Sequence, residues 1–324
     1  MTTDLQAAGA QRKWWSALNL QRQGMLLVLI LIFIGASLLT PNFLQINNLR
    51  NILRQVAIIG VLAAGQTFVI LIAGIDLSVG NLVSLTGSLA AGFAKINIAL
   101  GVLVGLISGA AVGLVNGVVV AKGKVQAFIV TLGTMSIAQG LALLYTGGFP
   151  IFDLPANFEF IGSGTLLNIP LLVVIMVAVY LVCLFVLRQT KFGHYIYSVG
   201  GNEEATRLSG INTDFIKMMA YILSGAAAGL GGVMLAARIG VGMPTMGTGY
   251  ELQAIAAVVI GGTSLAGGRG GIVGTLIGTL IMGIISNVMN LMNVTAFWQY
   301  IVIGSIIVLA ALINEISKRY QSAN

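Results

Sequence analysis

Charge is what this sequence lacks most. Only 8% of its 324 residues are Asp, Glu, Lys or Arg, against about 25% in an ordinary soluble domain. With 57% hydrophobic residues and a mean hydropathy of +1.00, the chain cannot cover a water-facing surface. Most of it must face lipid or other apolar helices. The net charge is +7, but the Lys and Arg residues sit in short loops between apolar runs. That distribution is the positive-inside pattern of membrane proteins and argues against nucleic-acid binding.

Several chemistries are missing as well. The lone cysteine, Cys183, lies inside an apolar run, cannot pair within the chain and reads as a small buried hydrophobe. The lone histidine, His194, has no Cys, Asp or Glu at ligand spacing, so it reads as a surface or packing residue and no metal site is expected. No Gly-Lys-Ser/Thr closes a glycine-rich loop anywhere, so the Walker A pattern is absent and any ATP hydrolysis must reside in another polypeptide. No Gly-x-Gly-x-x-Gly opens a helix after a strand, which excludes dinucleotide binding on that criterion. An intramembrane enzyme would need acids, histidines or a metal cluster at workable spacing, and none is present. The chain is therefore not expected to be an enzyme or to hold a cofactor. The five prolines (Pro41, Pro150, Pro155, Pro170 and Pro244) fall in loops or at the ends of apolar runs. Proline kinks are not the expected means of breaking helices here; the 43 glycines are.

What is present is a series of apolar runs long enough to cross a bilayer, which takes about 20 residues each. They predict an all-α integral membrane bundle of about ten transmembrane helices near 24–40, 53–73, 77–94, 98–121, 125–145, 167–187, 216–237, 251–267, 271–292 and 296–314. Residues 1–23 are expected to form a cytoplasmic or interfacial leader to a single membrane domain, 24–316, and 317–324 a short cytoplasmic tail. Arg12, Lys13 and Arg22 precede the first run, Met25 to Leu39, which Thr40-Pro41-Asn42 ends without a small-residue cleavage site; it reads as an uncleaved first span. Trp14 and Trp15 suit the membrane interface. The charges orient both termini to the cytoplasm. Lys122, Lys124, Arg188, Lys191, Arg207, Lys318 and Arg319 then fall inside, and the loop 146–166, with Asp153 and Glu159, falls outside; Arg50 and Arg54 are the exceptions.

Glycine has a pattern. Gly101, Gly105, Gly109, Gly113 and Gly117 recur every fourth residue and predict a face stripped of side chains, fit for close helix packing. Ser224, Ala228, Gly232 and Ala236 form a second stripe.

Three segments carry polar chemistry. Gly74-Ile75-Asp76-Leu77-Ser78-Val79-Gly80-Asn81 sets an acid between two apolar runs, where a carboxylate must be capped, paired or wetted. Asp76 is expected to cap the following helix near Ser78 and Val79, and the alternative role of lining a route or gate is compatible with that cap. Gly261 to Gly271, which includes Thr263, Ser264 and Arg269, reads as a flexible or broken-helix joint. The segment 188–215 is the longest polar stretch; Asn202 is expected to cap a short helix with Glu203 and Glu204 in its first turn, Gly210 to end it, and Ala205, Leu208 and Ile211 to give it an apolar stripe suited to docking a partner. Neutral amides and hydroxyls scattered through the spans (Gln66, Thr67, Asn81, Thr86, Asn116, Gln126, Gln139, Gln253, Ser286, Asn287 and Asn290) suit either interhelical hydrogen bonding or a lining for a neutral polyhydroxylated solute. Of these segments, Asp76, Ser78, Asn81, Gln253, Thr263, Ser264, Asn287 and Asn290 are the candidates for a path or gate, with Asn287 and Asn290 on one helix face. An ion-coupled carrier would need membrane-embedded ionisable groups, and only Asp76 qualifies.

Taken together, these segments resemble a known family: the membrane permeases of bacterial ABC importers for ribose and related simple sugars. The likeness runs from about Gly24 to the end and rests on Pro41-Asn42-Phe43 with Asn47-Asn48-Leu49, Gly74 to Gly80, and Val120-Ala121-Lys122-Gly123 with Gln126-Ala127-Phe128. It continues in Gly200-Gly201-Asn202-Glu203 with Arg207-Leu208-Ser209-Gly210-Ile211, in Gly247-Thr248-Gly249-Tyr250-Glu251-Leu252, and in Gly261 to Gly268. The resemblance implies a multi-pass protein of the bacterial inner membrane that forms a homodimer with a path between or within the subunits. It implies separate ATPase subunits, carrying the ATP and Mg, on the cytoplasmic loops, and a periplasmic sugar-binding protein outside. In such a permease Gly200, Gly201, Asn202, Glu203, Glu204, Arg207 and Gly210 would form the coupling segment, meeting a groove of the ATPase. Ribose, xylose, allose, galactose and a furanosyl signal molecule are all carried by permeases with these motifs.

Overall fold

The computed structural model describes residues 23–322, with side chains described as far as residue 312. Arg12, Lys13, Trp14, Trp15 and Arg22, and the side chains of Lys318 and Arg319, lie outside the described residues. Helix dominates, as lipid requires, because only a helix satisfies every backbone group within its own segment. Six helices are long and apolar enough to cross a membrane: α2 (Ile46–Leu71), α4 (Ile98–Ala121), α5 (Ala127–Thr146), α7 (Leu171–Gln189), α10 (Thr213–Ile239) and α12 (Ile272–Leu291). Shorter apolar helices are α1 (Gln23–Leu39), α3 (Val79–Ala94), α11 (Tyr250–Ile260) and the stretch Ala296–Leu312 of α13 (Ala296–Ser322). The remaining helices, α6 (Ala156–Ser163), α8 (Lys191–Gly201) and α9 (Glu203–Leu208), lie in the connections. A small hairpin, β1 (Thr165–Leu166) and β2 (Ile169–Pro170), turns through Leu167 and Asn168, both at positive φ.

α10 is the central helix. The glycine stripe of α4 packs against it in antiparallel register: Gly105 meets Val233 and Gly229, Gly109 meets Gly225 and Gly229, Gly113 meets Tyr221 and Gly225, and Gly117 meets Met218. The backbones come so close that a Cβ at Gly109 would lie 2.8 Å from the Gly229 Cα. The expectation of tight packing therefore holds for Gly105 to Gly117, while Gly101 packs instead on Ala90 and Ala94 of α3. The second stripe turns the other way. Ser224 approaches Gly65 of α2, and Ala228 and Gly232 approach Thr86 and Gly87 of α3. Small residues on two faces thus let α10 touch three helices at backbone distance.

α2 is the most enclosed of the long helices, with 83% of its apolar window buried, whereas α4, α5 and α7 are 22%, 17% and 22% buried. α2 and α12 pack antiparallel, through Val56 on Gly283, Thr279 on Gly60 and a Thr67–Thr275 hydroxyl pair at 2.8 Å, with Met176 of α7 also against Gly60.

Two expected segments differ. The span expected at 251–267 is helical only over Tyr250–Ile260, because Gly261 ends it and Gly262 takes φ +79. The polar segment 188–215 contains two helices, not one, since α8 precedes the expected α9; Thr190 caps α8 by accepting from Gly193 N at 3.1 Å.

Replacement of Gly109 by Leu should lower the unfolding temperature of the detergent-purified protein, by an overpacking penalty of about 1–3 kcal/mol or more. Gly133→Ala, whose Cβ would meet nothing within 4 Å, should stay within about 0.5 kcal/mol of the parent. Equal melting of the two variants would refute the α4–α10 contact.

Candidate functional site: an interior polar line and an outward docking helix

The interior chemistry begins where α2 ends. Asp76 is fully buried. Its Oδ1 accepts from Ser78 N at 3.0 Å and from Ser78 Oγ at 2.5 Å, and its Oδ2 accepts from Ser224 Oγ at 2.8 Å on α10. The expected capping does not form: Asp76 closes a turn onto Ser78, which is itself the N-cap residue of α3, and no side-chain cap bond reaches Val79. The chain of bonds continues. Asn116 Nδ2 of α4 donates to Ser78 Oγ at 3.0 Å, and Thr134 Oγ1 of α5 donates to Asn116 Oδ1 at 2.6 Å. One carboxyl therefore ties α10, α3, α4 and α5 together through hydroxyls and an amide.

One turn along α3 the line goes on. Asn81 Nδ2 donates to Met135 O of α5 at 3.1 Å, and its Oδ1 is buried without a partner. Ser84 Oγ accepts from Gly247 N at 2.8 Å, and Gln139 of α5 donates to Pro244 O at 3.0 Å. Both latter bonds serve an irregular stretch, Gly240 to Gly249, that follows α10. This stretch pairs with Ile151 at Gly242, then runs along α3 from Ser88 and Ala91 down to Gly80 and Val83. Eight residues of helix at roughly 1.5 Å each make that descent about 12 Å. Non-helical backbone at such depth is tolerated only where protein groups or a wet cavity satisfy it; Ser84 and Gln139 supply that satisfaction.

The descent ends at α11, a short helix that starts inside the bundle. Glu251, 6% exposed, sits in its first turn and accepts from Gly249 N at 3.1 Å. Its carboxyl packs directly over Gly80, where a Cβ would lie 2.9 Å from the Glu251 carboxyl carbon. A carboxyl at the positive end of a helix is stabilised by the aligned peptide dipoles. Glu251 is a second embedded acid besides Asp76, and the sequence alone assigned it to a span boundary. Its only sign in the sequence was its place in the Gly247-Thr248-Gly249-Tyr250-Glu251-Leu252 segment; the structure adds that Gly249, at φ +87, starts the helix. Gln253, the next polar residue of α11, has a buried Oε1 with no partner.

The other candidates lie apart. Thr263 is fully buried in the glycine joint and accepts from Gly271 N at 3.4 Å, while Ser264 is half-buried and bonds Arg269 O through its backbone. This joint packs on α8 and the end of α2: Gly268 N donates to Leu71 O at 2.9 Å, and Tyr197 Oη donates to Gly270 O at 3.1 Å. Asn287 and Asn290 do not face one route. Asn287 makes a reciprocal amide pair with Asn48 of α2 at 2.8 and 3.0 Å, whereas Asn290 is exposed and bonds Gln299 at 2.8 Å.

In the 188–215 segment, Asn202 Oδ1 accepts from Ala205 N at 2.9 Å and caps α9, with Glu203 and Glu204 in the first turn. Gly210 ends the turn at φ +82. Glu203 forms an ion pair with Lys217 of α10, and Glu204 pairs with Arg207 within α9. Glu203 is thus engaged by its own chain, and the outward face is left to Ala205, Arg207 and Leu208, the last 80% exposed. Gly200 is not a free hinge: it lies against Leu71 and Gly268, where a Cβ would be 2.5 Å from Gly268 N. Gly201, by contrast, has open space. His194 bonds Thr190 O at 2.8 Å on the exposed side of α8.

Asp76→Leu should cost roughly 3 kcal/mol, since it strips the acceptor from a backbone amide and two buried hydroxyls. Asp76→Asn should cost less, because one oxygen remains for Ser78 and the Ser224 hydroxyl can turn to accept. Thermal unfolding in detergent that ranks the leucine variant level with the parent would refute the bracing role.

The family described as branched-chain amino acid transport system / permease component matches residues 48–311. The ribose import permease protein of Escherichia coli (strain K12) is 48% identical over 321 residues, which cover 97% of this chain and 99% of that relative. That of Bacillus subtilis (strain 168) is 46% identical, over 91% of this chain and 93% of its own. The L-arabinose ABC transporter permease protein of Azospirillum brasilense is 37% identical, over 95% and 91%. No solved structure matches the chain. With an embedded acid bracing four helices, an interior helix start and a capped, outward-facing α9, the chain is a multi-pass membrane protein that belongs to this family of transport-system permease components.

Proposed function

We propose that this chain is the membrane permease subunit of an ATP-binding cassette importer, and that it provides the path for a monosaccharide, ribose or a similar sugar. The observation that carries the reading is the near full-length likeness to ribose import permease proteins in distant bacteria. The interior supports a neutral solute. Asp76 and Glu251 are each held by hydrogen bonds within the protein, while the unpartnered groups, among them Gln66, Asn81 Oδ1, Gln253 Oε1 and Ser286, are neutral except for Arg54 Nε, whose side chain donates instead to Ser163 O at 3.0 Å. Weak neutral hydrogen bonds can replace a sugar's hydration without trapping it. Asn81 and Gln253 are the path residues this arrangement favours; Asp76 and Ser78 brace the wall, Thr263 and Ser264 shape the glycine joint, and Asn287 and Asn290 hold helices at the opposite end.

The proposed topology has ten crossings, with both termini in the cytoplasm of a bacterium and the protein in its inner membrane. Two copies form the working permease, a periplasmic binding protein delivers the sugar, and separate ATPase subunits bind the ATP and Mg. Coupling runs through α9. Its outer face, with Leu208 and Arg207, meets the ATPase, and the Glu203–Lys217 pair and the close seat of Gly200 on Leu71 carry the push to α10, to α2 and to the glycine joint beside α11. Because α11 begins inside the bundle beside Asn81's helix, a shift of the joint is transmitted to the interior.

Reconstituted with its ATPase and binding protein, the complex should import labelled D-ribose only with ATP. Import of L-arabinose alone would change the assigned sugar, and no ATP-driven sugar import would overturn the function. Leu208→Asp should abolish ATPase co-purification while leaving unfolding unchanged; retained co-purification would remove α9 from the interface. Glu203→Lys should impair import, and adding Lys217→Glu should restore much of it, although the pair contributes only about 0.2–1 kcal/mol to stability.

A further inference from the structure

Charge is divided unevenly between the two ends of the bundle. Among the described residues, all three ion pairs, Lys124–Asp214, Arg207–Glu204 and Lys217–Glu203, lie at the end that carries α9. At the opposite end, which the proposed topology turns outward, Arg50 and Arg54 stand one turn apart on α2, and Arg238 lies in the last turn of α10. Arg50 is exposed, and Arg54 and Arg238 are half-buried. Among the described residues none of the three forms an ion pair.

The three arginines belong to one place. Arg54 donates to Ser163 O at 3.0 Å, at the end of α6, and the neighbouring Gly162 packs on the Arg238 backbone. The Arg54 charge and the Tyr250 side chain also stand within electrostatic reach of the Arg238 guanidinium. Arg50 shares the Arg54 face of α2, as residues four apart on a helix do. The acids of the nearby loop do not neutralise the group. Asp153 is exposed, Glu159 turns toward Gly240, where a Cβ would be 3.2 Å from its Oε1, and neither pairs with an arginine.

Such a group is costly. Like charges one turn apart repel, and arginines outside oppose the bias that gathers basic residues in the cytoplasm. An anionic partner would offset both costs. Lipid headgroups suit the place poorly, because the negative surface potential belongs to the cytoplasmic leaflet. Arg54 and Arg238 also stand over α2 and α10, whose apolar windows are 83% and 61% buried, not over a lipid-facing helix such as α5 at 17%. A neutral monosaccharide brings no charge to meet a guanidinium. In an importer fed by a soluble binding protein, the charged surface that reaches this end is that of the binding protein.

We infer that Arg50, Arg54 and Arg238 form an outward docking patch for an acidic surface of the sugar-delivering binding protein. The inference rests on the proposed importer reading and deepens it. Arg238 leads from the patch to Tyr250, the first residue of the interior helix α11, so the docked protein would stand over the start of that helix.

The test uses the full permease, assembled with its ATPase in neutral phosphatidylcholine bilayers, and the D-ribose-loaded binding protein of the same transport system as the probe. Arg50→Glu, at an exposed position, should weaken binding of that protein about tenfold at low salt, as an exposed attraction gives way to a repulsion. Most of the loss should fall on the association rate, and the affinity of the variant should depend less on salt than that of the parent. Import by the variant should regain the parent rate once the binding protein is raised about tenfold, the mark of lost binding rather than lost transport. Arg238→Gln, which keeps a long polar side chain, should shift binding in the same direction. Equal affinity and equal salt dependence in the parent and both variants, in a complex that still imports D-ribose, would overturn the patch and leave the importer standing. An import defect that persists at saturating binding protein would assign the arginines to the path and overturn the docking role. An effect of the substitutions seen only after anionic lipid is added would assign them to headgroups and overturn it too. A parent complex with neither affinity for the binding protein nor ATP-driven import would overturn the importer reading instead.

Discussion

The backbone-to-backbone contact between α4 and α10 is the constraint on which the rest depends. Within lipid there is no hydrophobic drive to bring helices together, so packing must come from close fit and shared hydrogen bonds. Gly105, Gly109, Gly113 and Gly117 remove the side chains that would hold α4 away, and Gly225 and Gly229 do the same on α10. Once α10 is so placed, its other small face brings Ser224 within reach of Asp76 and Gly232 beside Thr86. The buried acid is then affordable because the glycine contacts deliver a hydroxyl to it, and Asn116 of the same α4 joins the network through Ser78.

The second consequence concerns the interruption after α10. A continuous helix there would leave no polar backbone inside the bundle. Instead Gly240 to Gly249 descends along α3, its backbone met by Ser84 and Gln139, and α11 begins in the interior with Glu251 folded onto its first turn. This is the arrangement by which membrane carriers expose a helix terminus and a few unpaired polar groups at depth. Asn81 and Gln253, with their free oxygens, stand on the two helices that start there.

At the other end, the polar segment is not a loose loop. α8 is clamped by Gly200 against Leu71 and by Tyr197 against Gly270, and α9 is tied to α10 by Glu203 and Lys217. A force on the exposed face of α9 therefore meets a stiff linkage rather than a flexible tether. Interiors packed this closely shift between discrete arrangements instead of deforming smoothly.

Much was legible in the sequence because it depends on short-range pattern. Charge scarcity and apolar run length specified a helical membrane protein; the four-residue glycine period specified a close contact on α4; Asn202, Glu203 and Gly210 specified a capped short helix. Composition and spacing decide these because each is settled within a turn or two of chain. What only the tertiary structure decided is which distant groups meet. That Asn287 bonds Asn48 while Asn290 turns to Gln299, that Glu203 is spoken for by Lys217, that Glu251 lies buried over Gly80, and that Tyr221 is left without a partner all depend on helices far apart in sequence coming into register. A polar residue in a membrane helix looks the same in sequence whether it bonds a neighbour or faces an open space, and only the packing of the other helices tells the two apart.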